Sequence, residues 1–264
     1  MAQNIKFNNM INLKNITFII PIYYDSEDRK QNLEIIIKWI KYNFETNIYI
    51  KEVGNKSYFS YLKNDIDLYE FEFQDNDIIH RTKILNDLTK KTNTPFVCNY
   101  DADILLPINQ YIESLHRLNS GIDFVYPYTY FYRIPRQNFI ELFLNNFNEK
   151  TFIEYNKNYN TGESYGGVLF FNKNSFIKAG MENENYISYG PEDWERPIRF
   201  NNLGFNIERL DGNLYHIDHW IGDNSSTNNP HFFNNHKEFE KVKQMNKEEL
   251  QEYIKTWEWC NVNI

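Results

Sequence analysis

Cysteine is almost missing from this sequence. Only Cys98 and Cys260 occur in 264 residues, so neither a disulfide framework nor a cysteine-ligated zinc site is expected, and a reducing compartment fits. A basic excess is missing as well. The 28 Lys and Arg against 36 Asp and Glu leave a net charge of −8, which disfavours non-specific attraction to nucleic acid and directs attention to small or neutral partners. No apolar run has the length of a membrane span, and Met1 to Lys14 is Asn-rich and polar rather than leader-like. The expectation is a cytoplasmic protein without a transmembrane segment, for which peripheral contact at the inner face of a membrane stays open. Internal repeats and Pro/Gly/Ser linkers are absent too, which favours one domain.

What is present suffices for a large core: 41% of the residues are hydrophobic and 17% aromatic. Ile16 to Ile20 is β-branched and nearly continuous, as in a parallel strand covered on both faces. After the polar turn Asp25 to Asp28, Leu33, Ile36, Ile37 and Ile40 recur at helical spacing within Arg29 to Tyr42. Strands are expected at Ile48 to Val53 and Tyr69 to Phe73, a helix at Arg81 to Lys91, and a buried strand at Phe96 to Tyr100. This alternation predicts an α/β fold with a mostly parallel sheet. Farther on, Ile108 to Leu118 and Phe139 to Phe147 read as helices and Phe124 to Tyr132 as one strand. Val168 to Phe171 reads as a strand, Glu192 to Leu203 as a helix stopped by Gly204, and His236 to Trp257 as a closing helical segment with Val242, Met245, Leu250 and Ile254 inward.

Three constellations carry candidate chemistry. Asp101-Ala102-Asp103 puts two carboxylates at the C-terminal end of a buried strand, the edge where open α/β sheets bind ligands. Carboxylates there suit a hard divalent cation that bridges to a diphosphate, although solvated Asp residues in a strand-end loop give the same pattern. Gly166-Gly167 permits close backbone approach to a ligand, and Glu192-Asp193 opens a helix, where the dipole favours an ionised carboxylate able to take a proton from a hydroxyl. Acidic residues are also simply favoured at that helix position. Tyr215-His216-Ile217-Asp218-His219-Trp220 holds two imidazoles three residues apart, suited to manganese-like or zinc-like ions or to a core. The Asn-, Ser- and Thr-rich stretch Gly222 to Asn229 has the composition of a loop able to close over a bound ligand.

Taken in order, these motifs resemble the inverting GT-A glycosyltransferases, in particular the galactosyltransferase-type C-terminal domain of beta-1,4-galactosyltransferases, chondroitin-polymerase-like enzymes and many bacterial family 2 transferases. The matching stretches are FIIPIYYDSEDRKQNLEIIIKWI, HRTKILNDLTKKTNTPFVCNYDADILLP, GESYGGVLFFNKNSFIKAGMENENYISYGPEDWERPIRFNNLGF and LYHIDHW, with NNPHFFNNHKEF beyond. The resemblance implies a single GT-A domain: a nucleotide-sugar half at about 15–107, an acceptor and catalytic half at about 108–235, and a helical tail at about 236–264.

It also implies roles. Pro21, Ile22, Tyr23 and Glu52 would shape the nucleoside pocket, and Arg81 would face the diphosphate. Asp101 would lie near ribose and metal, Asp103 would ligate the metal, and His216 or His219 would add a ligand. Gly166 and Gly167 would line the donor sugar. Asp193, beside Glu192, would be the general base, with Tyr189, Glu192 and Trp194 holding the acceptor. The implied cofactor is Mn2+ or Mg2+, the donor a UDP-sugar of Gal or GalNAc type, and the acceptor a saccharide or lipid-linked saccharide, as in surface polysaccharide synthesis. Pro191 before Glu192, and Trp194 within the acidic run, depart from the family pattern and leave acceptor choice open. A retaining transferase of the same fold, a nucleotide-sugar hydrolase and a carbohydrate-binding protein with a decayed site are the alternatives.

Overall fold

The computed structural model describes residues 10–155 and 160–260, so expectations for the first nine residues and for the end of the tail lie outside the described residues. The chain opens with β1 (Ile11–Tyr23), whose register runs parallel to β2 (Phe44–Gly54) through α1 (Glu27–Asn43). Ser26 caps α1 by accepting from the Arg29 N–H, and Glu27 and Asp28 lie in its first turn, so both sequence and dipole favour a helix start there. β3 (Leu68–Phe73) follows, then α2 (Arg81–Lys91) leads back to β4 (Phe96–Tyr100) beside β1. Here the expected strands and helices form where the periodicity puts them.

The next stretch is β5 (Ile104–Leu105), α3 (Ile108–Asn119), β6 (Phe124–Tyr126), β7 (Tyr130–Ile134), α4 (Phe139–Asn146), α5 (Glu149–Tyr155), β8 (Asn160–Glu163), β9 (Val168–Asn172) and α6 (Lys173–Lys178). It is completed by α7 (Glu192–Leu203), β10 (Ile207–Arg209), β11 (Asn213–Ile217), α8 (Phe232–Lys243) and α9 (Lys247–Lys255). Two sheets result. The central one has the order β10-β6-β9-β4-β1-β2-β3, with β9 antiparallel to both neighbours, and the smaller one has the order β5-β11-β7-β8.

The single strand expected over Phe124 to Tyr132 is therefore two strands in different sheets. Pro127 stands between them without an N–H for a ladder, and the chain changes sheets there. The closing segment likewise divides, because Asn246 caps a new helix through a reciprocal bond with Glu249. Val242 and Leu250 are buried as expected, and Met245 and Ile254 are partly so.

Strand alternation builds a core on each face of the central sheet. Ile16, Phe18, Ile20, Cys98, Tyr100 and Phe170 face one layer beneath α1 and α3, while Ile19, Val97, Leu169 and Phe171 face the other beneath α2 and α7. The first layer is rich in edge-on aromatic pairs, such as Phe18 with Tyr100 at 5.5 Å. β6, β9 and β10, all later than residue 107, complete the sheet that the earlier strands begin, so both segments share one core.

Candidate active site

The strand ends bring the three sequence motifs to one cavity of about 400 Å³. Register accounts for the first convergence. Antiparallel pairing sets Ile104 opposite His216 and Leu105 opposite Tyr215, and the Ile217 N–H donates to the Asp103 carbonyl at 2.8 Å. Asn32, buried on α1, donates to the Ile217 carbonyl at 3.1 Å and so ties the histidine strand to the first helix. As a result Asp103 Oδ2 lies 3.1 Å from His219 Nε2, and Asp103 Oδ1 lies 3.5 Å from His216 Nε2. One ligand atom from each of these three residues lies within 4.8 Å of the others.

The donor set fits a divalent cation. The Nδ1 of His219 is 2.5 Å from the Trp220 carbonyl, a contact that holds the ring with Nε2 turned toward Asp103. Burial alone would raise the Asp103 pKa, but His216, His219 and Arg29 around it hold the carboxyl well below the usual range. Burial lowers the pKa of His216, so that ring is neutral near pH 7 and suited to ligation. The pKa of His219 is raised, since its hydrogen bond to Asp103 outweighs its burial. Asp101 is not in this cluster. Its carboxylate accepts from Arg81 Nη2 at 2.5 Å, and its N–H donates to the Gly167 carbonyl at 2.8 Å. Burial raises the Asp101 pKa against the pull of Arg81.

Across the cavity, α7 presents Glu192 and Asp193 in its first turn. Asp193 Oδ1 accepts from Arg196 Nη2, and Asp193 Oδ2 lies against Gly166, where a Cβ could not fit. Gly167 has φ +86, a left-handed conformation that glycine adopts freely, and a side chain there would also press on Ile104 and Leu214. The glycine pair thus lets the backbone run between the cation cluster and the carboxylates. Arg81 Nη1 stands 3.9 Å from both Glu192 Oε1 and Asp193 Oδ1, is buried, and has no hydrogen-bond partner among the described residues. Burial, then the charge of Asp193, pushes the Glu192 pKa up to about 8 despite Arg81 and Arg196. Glu192 is therefore mostly protonated near neutrality.

Pro21, Ile22, Tyr23, Arg81, Asp101, Asp103, Gly166, Gly167, Tyr189, Glu192, Asp193, His216 and His219 all line the cavity. Glu52 and Trp194 do not. Glu52 is fully buried and turned into its own loop, where its carboxylate accepts from the Tyr58 N–H at 2.8 Å and from Tyr69. Trp194 is about half exposed and packs edge-on against Tyr165 at 5.0 Å.

Several participants escape sequence reasoning. Arg29 reaches Asp103 at 3.4 Å and His219 Nδ1 at 3.2 Å while bonding Asp25 at 2.9 Å. Its position one turn after the Ser26 cap, on the face nearest the strand ends, was the available signal. Ser188 lies at φ 60, an unusual conformation for a serine, and donates to Asn224 at 2.8 Å. Asn224 also accepts from the Ile79 N–H at 3.0 Å, so the segment after the histidines is fastened over the cavity, with Ile221, Asn224 and Ser225 in its wall.

Residues 149–220 match a family model described as the N-terminal domain of galactosyltransferase. No curated protein matches the sequence. Among solved structures, the catalytic domain of Drosophila beta-1,4-galactosyltransferase 7, crystallised with xylobiose, superposes with a TM-score of 0.54 at 14% identity, covering 87% of this chain and 81% of that one. A mutant of the same Drosophila enzyme, complexed with manganese, UDP-Gal and xylobiose, gives 0.49 at 13% identity over 77% and 71% of the two chains. The likeness to the Drosophila catalytic domain shows the fold, that of a GT-A glycosyltransferase. The segment that matches the galactosyltransferase model contains Gly166, Gly167, Glu192, Asp193, His216 and His219.

Proposed function

We propose that the protein transfers a Gal- or GalNAc-type sugar from a UDP-sugar to a hydroxyl of a saccharide or lipid-linked saccharide acceptor, with inversion, in surface polysaccharide or glycan synthesis. The observation that carries this reading is one cavity with the Asp103, His216 and His219 cluster on one wall and the Asp193 carboxylate on the other. A divalent cation, Mn2+ or Mg2+, would be held by those three side chains and would supply charge neutralisation for a diphosphate. The chain's own residues do the rest. Arg81 offers an unpartnered buried N–H to the phosphate oxygens, and Arg29 adds a second guanidinium beside the cluster. The main-chain approach at Gly166-Gly167 leaves room for the donor sugar between the two walls.

The acceptor oxygen attacks the anomeric carbon as the bond from that carbon to the diphosphate oxygen breaks. The hydroxyl proton passes to Asp193 Oδ2, and the electron pair of the broken bond leaves with the nucleoside diphosphate. A carboxylate on the wall opposite the leaving group favours a single displacement, hence inversion. Tyr189, at the cavity rim and stacked with Phe232 at 6.1 Å, offers a face for the acceptor ring. Among the described residues no helix is long and apolar enough to cross a membrane, so a lipid-linked acceptor would be met from the membrane surface. The test is transfer from UDP-galactose and UDP-N-acetylgalactosamine to an acceptor panel, with the product's anomeric configuration read by NMR. A β-linked product supports the reading, whereas an α-linked product or acceptor-independent release of free sugar refutes it.

A further inference from the structure

Behind the Asp193 carboxylate lies a buried charge pair that does not itself line the cavity. Arg196 and Glu182 are each 1% exposed, and Arg196 Nε lies 3.2 Å from Glu182 Oε2. From its other end Arg196 Nη2 donates to Asp193 Oδ1. Among the described residues both carboxylate oxygens of Glu182 are buried without a hydrogen bond, and Arg196 is the cation that offsets this charge. The backbone of Glu182 is fixed independently, because its N–H donates to Asn86 Oδ1 at 2.8 Å and its carbonyl accepts from Asn86 Nδ2 at 3.0 Å. A buried ion pair of this kind is costly and adds little stability relative to an apolar pair. Its geometry is nonetheless specific: it ends on the oxygen of Asp193 that faces away from Gly166.

We propose that Arg196 is a positioning residue, held by Glu182, that clamps Asp193 Oδ1 so that Oδ2 is the oxygen offered to the acceptor. This rests on the transferase reading above. The other charged or titratable groups around Asp193 are Glu192 and Glu195 on α7, Arg81 on α2, Asp101 after β4, Tyr126 on β6 with Tyr128 just beyond it, and Arg209 on β10. Glu195 is itself paired with Arg199 at 2.6 Å, and Arg209 with the Tyr128 carbonyl at 3.0 Å.

The experiment uses the full chain with UDP-sugar, Mn2+ and the acceptor found for the wild type, and compares E182Q with the double variant E182Q/R196Q. The double variant leaves no unpaired buried charge, so it stays folded where R196Q alone would strand Glu182. In E182Q the guanidinium loses its buried holder and kcat falls about tenfold. In E182Q/R196Q the clamp itself is gone and kcat falls about 10²-fold, as expected when a general base loses its orientation. The donor KM and the thermal shift produced by UDP with Mn2+ stay within about twofold in both. A double variant with wild-type kcat, or a loss of kcat matched by an equal loss of donor binding, would overturn the proposal. A wild type that transfers to no acceptor would instead overturn the functional reading on which it rests, and the proposal with it.

Discussion

Gly166→Ala puts a methyl group where the Asp193 carboxylate now lies. The added Cβ would sit 3.2 Å from Asp193 Cγ and closer still to Oδ2, so reaching ordinary contact requires a carboxylate shift of about 1 Å. The side chain is short and its other oxygen is held by Arg196, so the shift must break that bond or turn Oδ2 away from the donor sugar. Gly166 does not have a left-handed φ, hence alanine is tolerated by the backbone and the fold survives. A misplacement of about 1 Å in a reacting group costs on the order of 10² in rate, about 2.7 kcal/mol of barrier. Initial rates at saturating donor and acceptor, with thermal unfolding in parallel, measure both quantities. The expected result is a near-normal transition temperature, an intact response to UDP and Mn2+, and kcat down about 100-fold. A folded variant with wild-type kcat would refute the placement of Asp193 at the reacting centre.

Gly167→Ala acts differently: its φ of +86 strains any side chain and the new Cβ meets Ile104 at 3.1 Å, so a stability loss of about 1–2 kcal/mol is expected in denaturant melts. Glu192 contributes a pH dependence whose sign follows from its raised pKa. Between its ordinary 4.5 and about 8 the folded protein holds a proton that the unfolded chain has released, so its contribution makes stability fall as pH rises through that window. Glu192→Gln removes that slope, which melts at pH 5 and pH 8 would reveal. Asn32→Ala takes away the donor to the Ile217 carbonyl and is expected to cost about 1–3 kcal/mol while weakening Mn2+ retention with UDP, measurable by calorimetry. Trp194→Ala, outside the cavity and half exposed, is expected to raise the acceptor KM and leave UDP binding unchanged.

The first half of the fold was legible because Ile16 to Ile20 and Phe96 to Tyr100 are nearly continuously apolar and α1 and α2 each carry a regular stripe. Arg81 to Lys91 and Phe96 to Tyr100 form with the expected limits. The smaller sheet was not legible. β5 has two residues and β8 four, too short to show a period, and Phe124 to Tyr132 is rich in aromatics on both sides of the break at Pro127. Asp103, His216 and His219 were legible as residue types, but their meeting depends on the β5–β11 register, which is a tertiary property. Glu52 was read for its place at a strand end. Its neighbours Tyr58 and Tyr69 turn it inward, and nothing at position 52 announces that. Arg29 and Arg196 lie three or four residues from groups that were recognised, Asp25 and Asp193, so helical spacing alone could have proposed them.

The claim that a cation at Asp103, His216 and His219 anchors a nucleoside diphosphate is met most directly by thermal unfolding with UDP, with Mn2+, and with both, for the wild type and for Asp103→Asn. A ligand that binds only the folded chain raises the transition. The account predicts a rise in the wild type that needs UDP and Mn2+ together and is lost in Asp103→Asn. A rise with UDP that is indifferent to the metal, or that survives in Asp103→Asn, would contradict it.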